Sequence, residues 1–271
     1  YERPIGIQIF GNEIDSMREA AEIATQAEPD ILDINYGCPV KNVACKGAGA
    51  GILLDIPKMV AMTAEIVKST HLPVTVKTRL GWDSNTQYIV EVAERLQDVG
   101  IKAISIHGRT RMQMYKGEAD WTLIGEVKAN QRMHIPVFGN GDINSPAKAA
   151  LYRERYGVDG LMIGRAAIGY PWIFREIKHY LQTGETLDPP TVAERLAACR
   201  EHLERSLVWK GPKLGLLEMR RHYAPYFKGF DHIKEIRSQL VQSMDPDEVR
   251  DLLSLIESQY TNATGGAEIS I

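Results

Sequence analysis

Residues 31–41 read Ile31-Leu32-Asp33-Ile34-Asn35-Tyr36-Gly37-Cys38-Pro39-Val40-Lys41. The first five residues form a short apolar run with two β-branched members, the composition of a strand. The run ends in a polar side chain, Asn35, and Gly37-Cys38-Pro39 then turns the chain away. Cysteine is usually a small buried hydrophobe. Cys38 follows Gly, precedes Pro and lies just beyond a strand tip, where a thiol meets a substrate rather than a core.

The same grammar repeats on both sides. Strands are predicted over Ile5–Phe10, Ile31–Asn35, Val74–Thr78, Ala103–His107, Val137–Asn140 and Gly160–Ile163. Amphipathic helices are predicted between them over Ser16–Gln26, Lys58–Ser69, Thr86–Val99, Trp121–Ala129 and Pro146–Tyr156. Alternation of helices with near-continuous apolar strands predicts a parallel sheet covered by helices. Each strand reaches a polar or special residue near its C-terminal end: Gln8; Asn35 with Cys38; Lys77 with Arg79; His107 with Arg109; Asn140 with Asp142; Gly164 with Arg165. A doubly wound sheet concentrates such residues at one switch point. Here every strand contributes, as in a (β/α)8 TIM barrel, whose active site is built from all its βα loops. Six strands are readable where a barrel needs eight, so strands 1 and 2 are expected to precede Tyr1. The alternative, two strands within the C-terminal third, conflicts with the lack of β-branched runs there.

After Thr183-Gly184 the pattern changes. Pro189-Pro190 interrupts the chain, and helices are predicted over Val192–Trp209, Lys213–Phe227, Ile233–Val241 and Pro246–Gln259, the last with Asp245 as N-cap and Pro246 at its first position. The expected fold is therefore α/β: a TIM barrel over 1–186 without its first two strands, an all-helical domain over 187–260, and a disordered tail over 261–271.

Composition bounds the function. The 271 residues are 44% hydrophobic and 25% charged, an ordinary globular balance. No apolar run approaches the ~18 residues of a membrane span. Three cysteines (Cys38, Cys45, Cys199) without CxxC spacing argue against a disulfide framework or a structural zinc site and fit a reducing cytoplasm; Cys45 and Cys199 read as structural. The net charge of -3 does not mark a nucleic-acid binder, but its distribution is uneven. Residues 195–237 hold ten Lys/Arg against five Asp/Glu, and residues 238–271 hold one against six. The basic block is either a phosphate-binding face or a solvated helical surface.

The last loops carry Phe138-Gly139-Asn140-Gly141-Asp142 and Gly160-Leu161-Met162-Ile163-Gly164-Arg165. Loops after the last two strands of such barrels commonly bind phosphate through glycine amides, and Arg165 adds a charged fork. Either glycine motif alone could simply make a turn; together they favour a phosphate-bearing cofactor. Lys77, near the tip of a buried strand, could face a phosphate or the N1–C2 edge of a flavin. Gln8 has the donor and acceptor for a pyrimidine edge, or is a structural amide.

Asn35-Tyr36-Gly37-Cys38-Pro39, Lys77-Thr78-Arg79, His107-Gly108-Arg109-Thr110-Arg111, Asn140-Gly141-Asp142 and Gly164-Arg165, in this order, resemble the bacterial FMN-dependent tRNA-dihydrouridine synthase family. The resemblance covers most of the chain, and the helical C-terminus is similar to that family's RNA-binding domain. It implies that Gln8, Lys77, His107, Asn140, Gly141, Asp142, Gly164 and Arg165 bind FMN, that Cys38 is the proton donor, and that Asn35 and Arg79, with Arg109 beside them, hold the target uracil. It further implies NADPH as electron donor and tRNA as partner, in a cytoplasmic monomer without metal. The family's Pro-Met loop after its first strand has no match here, in keeping with the two missing strands. A thiol is mostly protonated near neutral pH, as an acid acting at uracil C5 must be. Two rival readings share some of these features: an FMN-dependent pyrimidine dehydrogenase of the dihydroorotate dehydrogenase type, and a non-catalytic RNA-binding barrel.

Overall fold

The computed structural model describes residues 3–261. Six strands, β1 (Gly6–Ile9), β2 (Ile31–Asn35), β3 (Val74–Arg79), β4 (Ala103–His107), β5 (Val137–Asn140) and β6 (Gly160–Met162), form one sheet. All neighbours are parallel, and the order is β1-β2-β3-β4-β5-β6. The order never reverses, so the sheet has no switch point of the doubly wound kind. With every strand running the same way, all the C-terminal tips lie along one edge. Among the described residues from Arg165 onward no strand occurs, which removes the alternative of two strands in the C-terminal third.

Strand alternation separates two faces. Leu32, Ile34, Val76, Ile104 and Ile106 are fully buried on one of them. This side is served by α1 (Ile14–Gln26), α3 (Ile56–Ser69), α4 (Ile89–Asp98), α5 (Thr122–Ala129) and α6 (Pro146–Tyr156), each packed against the next. Their stripes follow the helical period: Met59, Met62, Thr63 and Ile66 in α3, and Ile89, Val92, Ala93 and Leu96 in α4. Helix starts are chemically specified. Asp55 accepts from the Lys58 amide at the head of α3, and Ser145 accepts from Lys148 ahead of Pro146 in α6, each cap contributing about 1 kcal/mol. The opposite face presents Gln8, Asp33, Asn35, Thr75, Lys77, Ser105 and His107, aligned by register: Gln8 opposite Asp33, Asn35 opposite Lys77, and Lys77 opposite Ser105.

Some boundaries differ from the sequence reading. α4 begins at Ile89 rather than Thr86, because Asp83 and Thr86 bond to each other and to local amides in a turn that competes with the helix. A short helix α2 (Lys41–Ala44) and a 3-10 segment (Gly49–Leu54) occupy the β2–α3 connection, both too short to show a period. Helix α7 (Ile173–Thr183) was not among the expected elements, although Ile173, Ile177 and Tyr180 carry its spacing and Gly184 closes it at φ 76°.

The chain divides into two compact units after Gly164. The second contains α7, α8 (Val192–Tyr226), α9 (Lys234–Gln242) and α10 (Pro246–Thr261). α8 opens with a capping box between Thr191 and Glu194 and is broken at Gly211 (φ 75°, ψ 168°) before Pro212, between the two helices read from the sequence. Leu196, Cys199, Leu203, Tyr223, Phe227 and Leu253 pack in its core. Asp245 accepts from the Asp247 amide at the head of α10. Apart from Thr261, which ends α10, the expected disordered tail lies outside the described residues. Among the described residues no helix is long and apolar enough to cross a membrane.

Gly139 in β5 marks a tight spot. A Cβ there would stand 1.9 Å from Trp121, which is 1% exposed and cannot yield. Gly139→Ala should cost about 2 kcal/mol and lower Tm by several degrees in a thermal melt; an unchanged Tm would contradict this packing.

Candidate active site

The tip of β2 is built around Asn35. Its Oδ1 accepts the amides of Gly37 (2.9 Å) and Cys38 (3.0 Å), a side-chain turn that bends the chain off the strand. Its Nδ2 donates to Gln8 Oε1 at 2.9 Å. Gln8 Nε2 in turn donates to Asp33 Oδ2 (2.6 Å), and Thr75 Oγ1 donates to Asp33 Oδ1 (2.6 Å). Both ends of each amide are thus specified. Cys38, half-exposed, is pinned from the far side as well: its carbonyl accepts from the Ala50 amide at 3.0 Å. Gly49 sits at φ 54°, where a Cβ would come within 2.8 Å of Cys38 Cβ. Only glycine allows this approach.

Arg79 is 2% exposed. It donates through Nε to the Gly37 carbonyl (2.7 Å) and through Nη1 to the carbonyls of Thr110 (3.1 Å) and Met114 (3.0 Å). Its guanidinium lies 5.8 Å from the centre of the Tyr115 ring. The residue therefore ties the Cys38 loop to the loop after β4. Burial, with Arg109 nearby, lowers its pKa to about 10.

Lys77 differs from the other cations here. Its one hydrogen bond among the described residues is a 3.5 Å contact to the Thr78 carbonyl, and no carboxylate reaches it as an ion pair. Burial and the positive charge of Arg79 bring its pKa down to about 8, against the pull of Asp33. Burial also raises the Asp33 carboxyl above its ordinary value. A half-buried ammonium without an ion-paired carboxylate is costly and fits an anionic group of a ligand.

His107 ends β4, 7% exposed. Burial, with Arg79, Lys77 and Arg109 around it, pushes its pKa down to about 3, so the ring is neutral under physiological conditions. Its Nε2 lies 3.3 Å from Arg109 Nη1. Arg109, 2% exposed, bonds to both carboxylate oxygens of Asp142 at 3.0 and 2.6 Å. Asn140 donates to the Met162 carbonyl at 2.7 Å, linking the tips of β5 and β6. Gly164 follows β6, and a Cβ on it would meet nothing within 4 Å. Arg165 opens the 3-10 turn Arg165–Ala167 in the second unit.

The structure thus brings Gln8, Asn35, Cys38 and Arg79 into one bonded group, and His107, Arg109 and Asp142 into another, with Lys77 in register between β2 and β4. Asp33 and Thr75 were not anticipated from the sequence. Asp33 stands two residues before Asn35, on the same face, and its signal was a carboxylate inside an apolar strand. Lys77, neutral His107 and the polar Gln8–Asn35 pair together suit a phosphate-bearing heteroaromatic group: a cation for its anionic part, and donors and acceptors for its ring edge.

A family model described as dihydrouridine synthase matches residues 1–263. The chain is 44% identical to the probable tRNA-dihydrouridine synthase 1 of Synechocystis over 252 residues, 93% of this chain and 70% of that protein. It is 39% identical to tRNA-dihydrouridine synthase B of Pseudomonas aeruginosa over 267 residues, 98% of this chain and 80% of that protein. With tRNA-dihydrouridine synthase B of Pseudomonas putida the identity is 42% over 236 residues, 87% and 69% of the respective chains. Strand-tip chemistry, motif order and these relatives agree, and the chain belongs to the dihydrouridine synthase family.

Proposed function

We propose that the chain reduces the C5–C6 double bond of uridine in tRNA, with FMN at the C-terminal edge of the sheet and NADPH as electron donor. The observation that carries this reading is Cys38, half-exposed and fixed by Asn35 and Gly49 at the edge of a polar sheet face that also bears Lys77 and His107. The family is flavin-dependent. The consecutive parallel order supports a sheet of the (β/α)8 type, with the helices beyond it as a tRNA-binding domain. The three free thiols and a tRNA substrate support a cytoplasmic location.

A bound flavin supplies the hydride that goes to uracil C6. The rest falls to side chains of this chain. The target base must leave its stack to enter the strand-tip cleft. Asn35 and Arg79 hold the Cys38 loop, and thereby the thiol, against the base. As C6 gains hydride, charge develops on C5 and O4; the Cys38 S–H proton passes to C5, and the thiolate is reprotonated from solvent. Lys77 supplies positive charge to the bound cofactor. Gln8, His107, Asn140 and Gly164 line the same edge and complete its contacts.

The helical unit supports tRNA rather than a small pyrimidine as substrate. Trp209 is 84% exposed and Val208 81% exposed beside the Gly211 break. Lys210 and Lys213 lie within four residues, inside the basic block. An exposed indole among cations suits base stacking next to phosphates.

Cys38→Ala should keep its flavin colour and lose roughly 10²-fold or more in single-turnover reduction of tRNA; a variant as fast as the parent would remove Cys38 from the reaction. FMN affinity should be flat between about pH 7 and about pH 8, above the ionisation of the phosphate, and fall at higher pH as Lys77 loses its proton, by up to about tenfold per pH unit; Lys77→Met should abolish that fall. Affinity for tRNA should drop steeply with salt, and Trp209→Ala should weaken it roughly tenfold at fixed salt. A flat salt response, or full affinity in the variant, would exclude this surface.

A further inference from the structure

The Arg109–His107 contact has a fixed polarity. A guanidinium only donates and keeps its proton in proteins, so at 3.3 Å Arg109 Nη1 is the donor and His107 Nε2 the acceptor. A neutral imidazole carries a single N–H. With Nε2 accepting, that proton is on Nδ1, and Nδ1 has no hydrogen-bond partner among the described residues.

Arg109 has no freedom to turn away. Nε donates to the Lys116 carbonyl (3.2 Å), Nη1 to His107 and Asp142 Oδ1 (3.0 Å), and Nη2 to the Gly117 carbonyl (2.6 Å) and Asp142 Oδ2 (2.6 Å). These contacts use all five N–H groups of the fork, leaving none for a ligand. Asp142 is held as firmly. It accepts from the Ala119 amide at 2.8 Å, and its backbone lies at φ 55°, a region that aspartate enters more readily than most residues. Gly141 before it is at φ 127°, where a Cβ would stand 2.6 Å from Ala119 Cβ and 3.0 Å from His107 Cδ2. Trp121 Nε1 donates to the Gly141 carbonyl at 3.1 Å. The Gly141-Asp142 turn is therefore wrapped around the His107–Arg109 pair.

We propose that Arg109 and Asp142 are a positioning pair that fixes His107 as a neutral imidazole with its proton on Nδ1, so that the ring meets a bound flavin only as a hydrogen-bond donor. Neither Arg109 nor Asp142 then contacts cofactor or uracil. The role of flavin as the acceptor rests on the function proposed above; the tautomer does not. The charged groups that face the ring are Arg79, Lys77, Arg109 and Asp142, three cations against one carboxylate. Proton donation in the reaction is left to Cys38.

Two-bond 1H–15N spectra of 15N-labelled full-length protein, with His107 assigned among the seven histidines through His107→Gln, test this directly. The expected His107 pattern is Nδ1–H, unchanged from about pH 5 to about pH 8, the interval in which an ordinary histidine titrates. An Nε2–H pattern, or imidazolium forming in that interval, would overturn the proposal without any further variant. In the double variant Arg109→Met, Asp142→Asn, which removes both charges of the pair together, Nε2–H should appear as a second or averaged species; a pure Nδ1–H pattern there would also overturn it. Adding FMN should shift the Nδ1 proton. Bound FMN that leaves it unmoved overturns the donor role, whereas protein that binds no FMN overturns the flavin reading and leaves the tautomer result standing.

Discussion

Asn35 stands at the last position of β2, and its carboxamide oxygen collects the amides of Gly37 and Cys38 while its nitrogen is fixed on Gln8. This bends the chain sharply at the edge of the sheet and leaves a thiol standing above a polar face. Gln8 and Asp33 keep the amide from flipping, and Arg79 pulls on the Gly37 carbonyl from β3. Without that turn, Asn35, Lys77 and His107 would still share an edge, but Cys38 would have no defined direction.

Around the turn, the site sorts its charges by what they are bonded to. Arg109 spends all five of its N–H groups on the protein itself, and Arg79 spends Nε and Nη1 on backbone carbonyls. Lys77 makes one long contact to a carbonyl and keeps capacity for an incoming anion. His107 is surrounded by positive charge and stays neutral. The result is a site with a positive field, one ammonium open to a ligand, and one thiol that can give a proton. That separation suits a reaction in which negative charge arrives as hydride and is quenched by a proton from the opposite group.

Much of this was legible from the sequence because strands advertise themselves twice, by β-branched runs and by what stands at their tips. Ile31–Asn35, Ala103–His107 and Val137–Asn140 have the bounds their composition predicts, and the tips do share one edge. Less visible were features that depend on contacts far apart in sequence. The family resemblance implies Arg79 and Arg109 as residues that hold the uracil; the protein partners that position them lie 31 to 42 positions away, or in carbonyls that carry no residue-type signal. Asp33 was masked by the apolar residues on both sides of it. The break at Gly211 was readable from Gly-Pro, but the exposure of Trp209 beside it was not, since a tryptophan in a helix is most often core.

On the proposed function, this thiol and this cofactor edge together saturate uridine. The most direct measurement uses tRNA from cells lacking dihydrouridine, incubated with the protein, FMN and protiated NADPH in D2O and analysed as nucleosides by mass spectrometry. Dihydrouridine carrying solvent-derived deuterium at C5 is expected; label at C6 decides nothing, because the hydrogen on N5 of a reduced flavin exchanges with water. Uridine recovered intact, or dihydrouridine with protium at C5, would contradict that role of thiol and cofactor edge.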